Sequence, residues 1–111
     1  MDKLISRNID RIGKICQEHK VERLFVFGSI ASGNVTRDSD IDLLISFSDD
    51  ISIEEYTDNY FKLHYLFEEI FRRPVDLITE NSLTNPFFIN TLEKTKILIY
   101  ESKDEKISVW Y

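Results

Sequence analysis

Two aspartates one residue apart, Asp40 and Asp42, open an apolar run, and a third, Asp76, lies inside another such run, VDLIT. Alternate residues of a strand project to one face, while the chain advances about 3.3 Å per residue. Asp40 and Asp42 are therefore expected side by side, with Ile41 turned into the core. Asp76 reaches the same spot if its strand pairs next to theirs. Three carboxylates without a counter-charge repel one another and raise one another's pKa. A hard divalent cation, Mg²⁺ or Mn²⁺, relieves that repulsion through oxygen ligands, and no Cys/His set points to zinc instead. Two such ions about 3.5–4 Å apart form the clamp used in phosphoryl and nucleotidyl transfer. In that chemistry Asp76 is placed to ligate an ion or to take the proton of the attacking hydroxyl.

A phosphate-binding feature precedes the carboxylates. Gly28-Ser29 stands where an apolar strand ends and a turn or short helix begins. Glycine permits close backbone approach there, exposed N–H groups favour phosphate, and the Ser29 hydroxyl can donate as well. Gly33 is expected to let the loop swing back toward Ser39 and Asp40. The pattern is not a P-loop, since GxxxxGK[ST] is absent, and no GxGxxG dinucleotide fingerprint occurs.

The elements that must hold these residues follow from periodicity. Residues 2–19 place Ile5, Ile9, Ile12, Cys16 and His19 on one face of an amphipathic helix. Residues 21–27 and 42–47 both read as central strands buried on both faces. Ser52 and Glu55 have the capping-box spacing, and Tyr56, Tyr60, Leu63, Phe67 and Ile70 continue as one helical stripe. Pro74 stops that helix, and residues 75–79 make a third strand. Asn85-Pro86 opens a short helix through Leu92. An edge strand follows over residues 97–100. The expected architecture is α/β (α+β): a small mixed sheet flanked by helices. Residues 1–100 form one domain and 101–111 a C-terminal tail ending in Trp110 and Tyr111.

Composition narrows the function classes. A length of 111 residues suits one core, and 42% hydrophobic content with eight Phe and five Tyr predicts a packed globule. The net charge is −6, and the densest basic point is Arg72-Arg73, so a polynucleotide is disfavoured as the main partner. A metal–nucleotide complex suits an acidic surface, because the metal supplies positive charge. A single cysteine, no signal-like segment and no membrane-length apolar run predict a soluble cytoplasmic protein. Taken singly, DxD is common on strand ends, Gly-Ser is a turn, and Asp76 could be an edge charge that blocks aggregation. His19, His64, Cys16 and the tyrosines at helical spacing read as packing residues. The joint pattern of glycine, serine and three aspartates is far more specific than its parts.

GSIASG, five residues and then SDIDLLI resembles the signature of the DNA polymerase β-like nucleotidyltransferase superfamily. The short length and the third aspartate in PVDLIT resemble its minimal nucleotidyltransferase (MNT) branch, and the resemblance runs from about residue 21 to residue 100. It implies that Gly28 and Ser29 bind a nucleoside triphosphate, and Ser39 of SDID is expected to join them in binding it. Asp40 and Asp42 would bind two Mg²⁺ ions, and Asp76 would help activate the acceptor. Relatives in that branch are commonly paired with a helical HEPN protein in toxin–antitoxin modules, and several act as antitoxins by moving AMP from ATP to a partner tyrosine. Many of them carry arginine directly before the second glycine, where this chain has Ser32. A partner or a second copy would complete so small a site.

Three functions stay open at this stage. One is Mg²⁺-dependent transfer of NMP, AMP by expectation, to a protein hydroxyl. Another is a catalytically silent neutralising subunit. The third is modification of a small-molecule hydroxyl such as an antibiotic's.

Overall fold

The strands run in the order β3-β2-β1-β4, which sets the two inner strands between two edges of different character. The computed structural model describes residues 2–102. Over that range the chain forms α1 (Lys3–Ser6), α2 (Ile9–Glu18), β1 (Val21–Phe27), α3 (Gly28–Ser32), β2 (Ile41–Phe47), α4 (Ile53–Phe71), β3 (Val75–Thr79), α5 (Pro86–Thr95) and β4 (Ile97–Glu101), with a 3₁₀ turn over Glu80–Ser82. β1 pairs antiparallel with β2 and with β4, whereas β2 and β3 run parallel. The sheet is mixed, as expected. The parallel pair is made possible by α4, because parallel strands need a long crossover.

Side-chain alternation divides the core into two layers. Leu24 and Val26 of β1, Ile41, Leu43 and Ile45 of β2, and Val75 and Leu77 of β3 turn to one face. There they pack on Ile12 and Cys16 of α2 and Leu63, Phe67 and Ile70 of α4. Phe25, Phe27 and Leu44 turn to the other face, where Leu92 of α5 packs on them with Ile78 and Leu83 alongside, and Phe88 of α5 meets Phe27. Cys16 is fully buried, and burial pushes its thiol up to about 12, so it serves as core.

Two helices differ from the sequence reading. The first predicted helix breaks at Arg7 and Asn8 into α1 and α2. The Asn8 amide donates to the Leu4 carbonyl at 2.8 Å and its backbone N–H to Ile5, so a polar side chain competes with helical continuation. His19 lies just beyond α2 and its ring bonds the Ile15 carbonyl. α5 runs to Thr95, past the expected end at Leu92. The predicted caps are both present: Ser52 and Glu55 form the reciprocal capping box of α4, and the Asn85 side chain accepts from Phe87 and Phe88. Helix α4 ends at Phe71 with Arg72 in the left-handed region, just ahead of Pro74. Among the described residues no helix is long and apolar enough to cross a membrane. Trp110 and Tyr111 lie outside the described residues.

Candidate active site

Register brings the carboxylates together. Asp42 pairs with Phe27 of β1 on one side and with Asp76 of β3 on the other. Since Ile41 and Leu43 enter the two-helix layer, Asp42 faces the α5 side, and Asp76 does so between Val75 and Leu77. Asp40 precedes β2 by one residue and is exposed, as is Asp76, whereas Asp42 is half-buried. Desolvation, reinforced by the charges of Asp76 and then Asp40, raises the Asp42 carboxyl above the ordinary aspartate range. Among the described residues, no lysine, arginine or histidine forms an ion pair with any of the three. Nor do three acidic, His or Cys side chains converge closely enough to enclose an ion as they stand.

Gly28 adjoins this group, with φ +68°, where a side chain is strained. A Cβ at that position would also collide with the Asp42 carboxylate. The glycine is therefore required twice, by backbone conformation and by the approach of β1's end to Asp42. Ser29 follows as the second residue of α3. Its carbonyl accepts from the Ser32 hydroxyl at 3.1 Å and from the Asn34 N–H at 2.9 Å. Its own hydroxyl has no partner among the described residues. Gly33, left-handed at φ +81°, closes α3 and turns the chain back, as predicted.

The polar loop from Gly33 to Asp40 is fastened from two directions. Ser39 Oγ accepts from the Thr36 N–H at 2.8 Å, which makes Ser39 a brace of the loop beside Asp40. Arg73 Nη1 donates to the carbonyls of Thr36 at 2.6 Å and Ser39 at 3.2 Å. Ile41 N–H donates to the Pro74 carbonyl at 3.0 Å, tying the start of β2 to the start of β3.

Further residues near the site were not read from the sequence in these roles. Tyr60, His64 and Glu68 stand at i, i+4 and i+8 on α4, along the outer edge of β3. Tyr60 OH donates to the Leu77 carbonyl at 2.7 Å, and His64 Nε2 to the Val75 carbonyl at 2.8 Å. Glu68 accepts from the Val75 N–H at 2.9 Å. The three side chains satisfy the edge groups on either side of Asp76, and in doing so protect an otherwise open strand edge. Desolvation first, then the charges of Asp76 and Tyr56, raises the Tyr60 phenol, which keeps it a neutral donor. The helical spacing of polar groups was the available signal. It was masked because Tyr60 belongs equally to the apolar stripe.

A mixed four-stranded sheet with a Gly-Ser turn set against paired strand aspartates defines a nucleotidyltransferase class of fold. The model of the nucleotidyltransferase domain family matches residues 9–99, and the chain belongs to that family. A Methanocaldococcus jannaschii protein named "Putative protein adenylyltransferase MJ1379" is 34% identical over 82 residues, which are 74% of this chain and 80% of that protein. A solved structure described as a "putative minimal nucleotidyltransferase" superposes with a TM-score of 0.69 at 26% identity, covering 87% of this chain and 95% of that one. A chain from a complex of tri-AMPylated Shewanella oneidensis HEPN toxin with MNT antitoxin gives a TM-score of 0.55 at 16% identity, over 93% of this chain and 77% of that one.

Proposed function

We propose that this nucleotidyltransferase moves AMP from ATP to a hydroxyl of a protein partner, a helical HEPN-type protein, as the antitoxin of such a pair. The observation that carries the reading is the register of Asp42 opposite Asp76, one step from Gly28 and Ser29. The relative named as a protein adenylyltransferase and the AMPylated toxin in the antitoxin complex support the choice of nucleotide and acceptor class.

The donor set fits Mg²⁺ or Mn²⁺: three carboxylates, one made harder to ionise by its partial burial and then by the charges of the other two, with no cation from the described residues to balance them. Asp40, Asp42 and Asp76 would hold the metal. Bound there, it supplies Lewis-acid stabilisation of the phosphoryl oxygens and of the attacking oxygen. Gly28 contributes open backbone and Ser29 a free hydroxyl toward the triphosphate. Asp76, exposed on the α5 side of the sheet, is accessible to an incoming hydroxyl and can accept its proton. The new bond joins the acceptor oxygen to the α-phosphorus, and pyrophosphate departs with the β and γ phosphates.

Incubation with Mg²⁺, a HEPN-type partner and ATP labelled at the α- or γ-phosphate tests this. Label is expected on the partner from the α-position only, and its transfer should stop with chelator and fall at least a hundredfold in Asp42→Asn. A tight complex without transfer of either label would instead make the chain a silent neutralising subunit.

A further inference from the structure

The order of residues across the sheet sets the side from which an acceptor reaches the carboxylates. Phe27 and Gly28, at the end of β1, lie on one side of Asp42, and Asp76 of β3 lies on the other. The β1 side is already built up, because α3 and α5 flank an apolar groove of about 540 Å³ beside Gly28. Displacement at phosphorus runs in line, with the attacking oxygen opposite the departing one. A triphosphate held at Gly28 and Ser29 departs on the β1 side, so the acceptor hydroxyl enters over β3, which is an edge strand.

That edge cannot be extended by another strand. Its outward backbone groups are taken by α4: the Val75 N–H by Glu68, and the Val75 and Leu77 carbonyls by His64 and Tyr60. A protein arriving there meets side chains instead, and α4 presents an apolar ridge. Ile53, Thr57, Phe61 and Tyr65 follow at intervals of four, the kind of row against which a second helix packs, and all four are exposed. Phe61 and Tyr65 are 65% and 64% exposed, whereas Leu63 and Phe67 of the same helix are fully buried. Phe61 meets Tyr60 edge to face at 5.3 Å, and Tyr60 stacks with His64 at 6.5 Å, so aromatic surface runs outward from the edge of β3. The ridge is set in negative charge. Helix α4 carries five carboxylates and one lysine, Lys62, and Glu54, Asp58 and Glu69 form no ion pair among the described residues.

We infer that this ridge of α4 docks the acceptor protein, through a helix of that partner that has an apolar stripe bordered by basic residues. The inference rests on the proposed function, which supplies the direction of attack. Aromatic anchors give such a contact its affinity, and the surrounding charge selects the partner. A second exposed apolar pair, Ile97 and Leu98, lies on β4 at the opposite edge of the sheet, away from Asp76.

Calorimetric titration of the intact chain with a HEPN-type partner tests the surface. Phe61→Ser combined with Tyr65→Ser removes the ridge at exposed positions, and Leu98→Ser is the control on β4. The double variant should bind the partner at least about tenfold more weakly than the parent. It should keep its melting temperature within about 2 °C and bind MgATP as the parent does. Asp58→Lys with Glu69→Lys should also weaken the partner, most at low salt. Full affinity in the serine double variant, or an equal loss in Leu98→Ser, would overturn the inference. So would a parent dimer that the double variant splits, because a second copy would then hold the ridge. Transfer from α-labelled ATP is read in parallel. A parent that binds through the ridge yet transfers no label would sink the proposed activity and leave the docking surface standing. A parent that binds no HEPN-type partner would end both.

Discussion

Asp42 is the residue on which the site turns. Three strands' worth of register place it between Phe27 and Asp76, and the same placement makes its charge unfavourable in the folded chain. A carboxyl whose folded pKa is raised contributes stability only below its unfolded pKa, and that contribution is lost as pH rises through the folded value. At neutral pH the ionised Asp42 therefore works against folding of the metal-free protein. Asp42→Asn should raise its melting temperature at pH 7 by about 1–3 °C, small because Asp42 is only half-buried. The gain should vanish below the ordinary aspartate range, about pH 3.9, and transfer should be lost throughout. Thermal scans across pH check this, and a variant no more stable than the parent at pH 7 contradicts it. Divalent cation should stabilise the parent more than the variant, because the variant keeps only Asp40 and Asp76 of the three carboxylates.

At the scale of elements, α4 does more than cover the core. Its apolar stripe buries Leu63, Phe67 and Ile70, and its next row, Tyr60, His64 and Glu68, caps the edge of β3 on either side of Asp76. Glu68→Ala leaves the Val75 N–H without its partner, at a cost of about 1 kcal/mol. Glu68→Gln retains an amide oxygen that can accept the same bond and should recover most of the loss in denaturant titrations; equal loss in both variants would show that charge, not the hydrogen bond, is what matters. The sequence made β1, β2, β3 and both caps legible because alternation, capping box and Asn-Pro are local signals. Local reasoning failed where tertiary partners decide. The break at Asn8 depends on a side chain competing for backbone, and Arg73 fixes a loop 34 to 37 residues away, which no spacing rule detects.

The whole molecule separates structure from chemistry by face. One side of the sheet is sealed by α2 and α4, while the other, where α5 is the covering helix among the described residues, leaves Asp42, Asp76, Gly28 and the adjoining groove within reach of ligands. The carboxylate pair was legible in the sequence. Its opposition across a parallel pair was only conditional, since it needed β3 to neighbour β2, and the apolar groove beside Gly28 was not legible because α3 and α5 are distant in sequence. The proposed function requires that Asp40, Asp42 and Asp76 hold the metal for nucleotidyl transfer. Crystals of the protein with Mn²⁺ and a non-hydrolysable ATP analogue, measured for anomalous scattering, test it most directly. Anomalous peaks are expected at Asp40 and Asp42, about 4 Å apart where two ions are present, with Asp76 on one of them. Ordered nucleotide with no anomalous peak at Asp42 would contradict it.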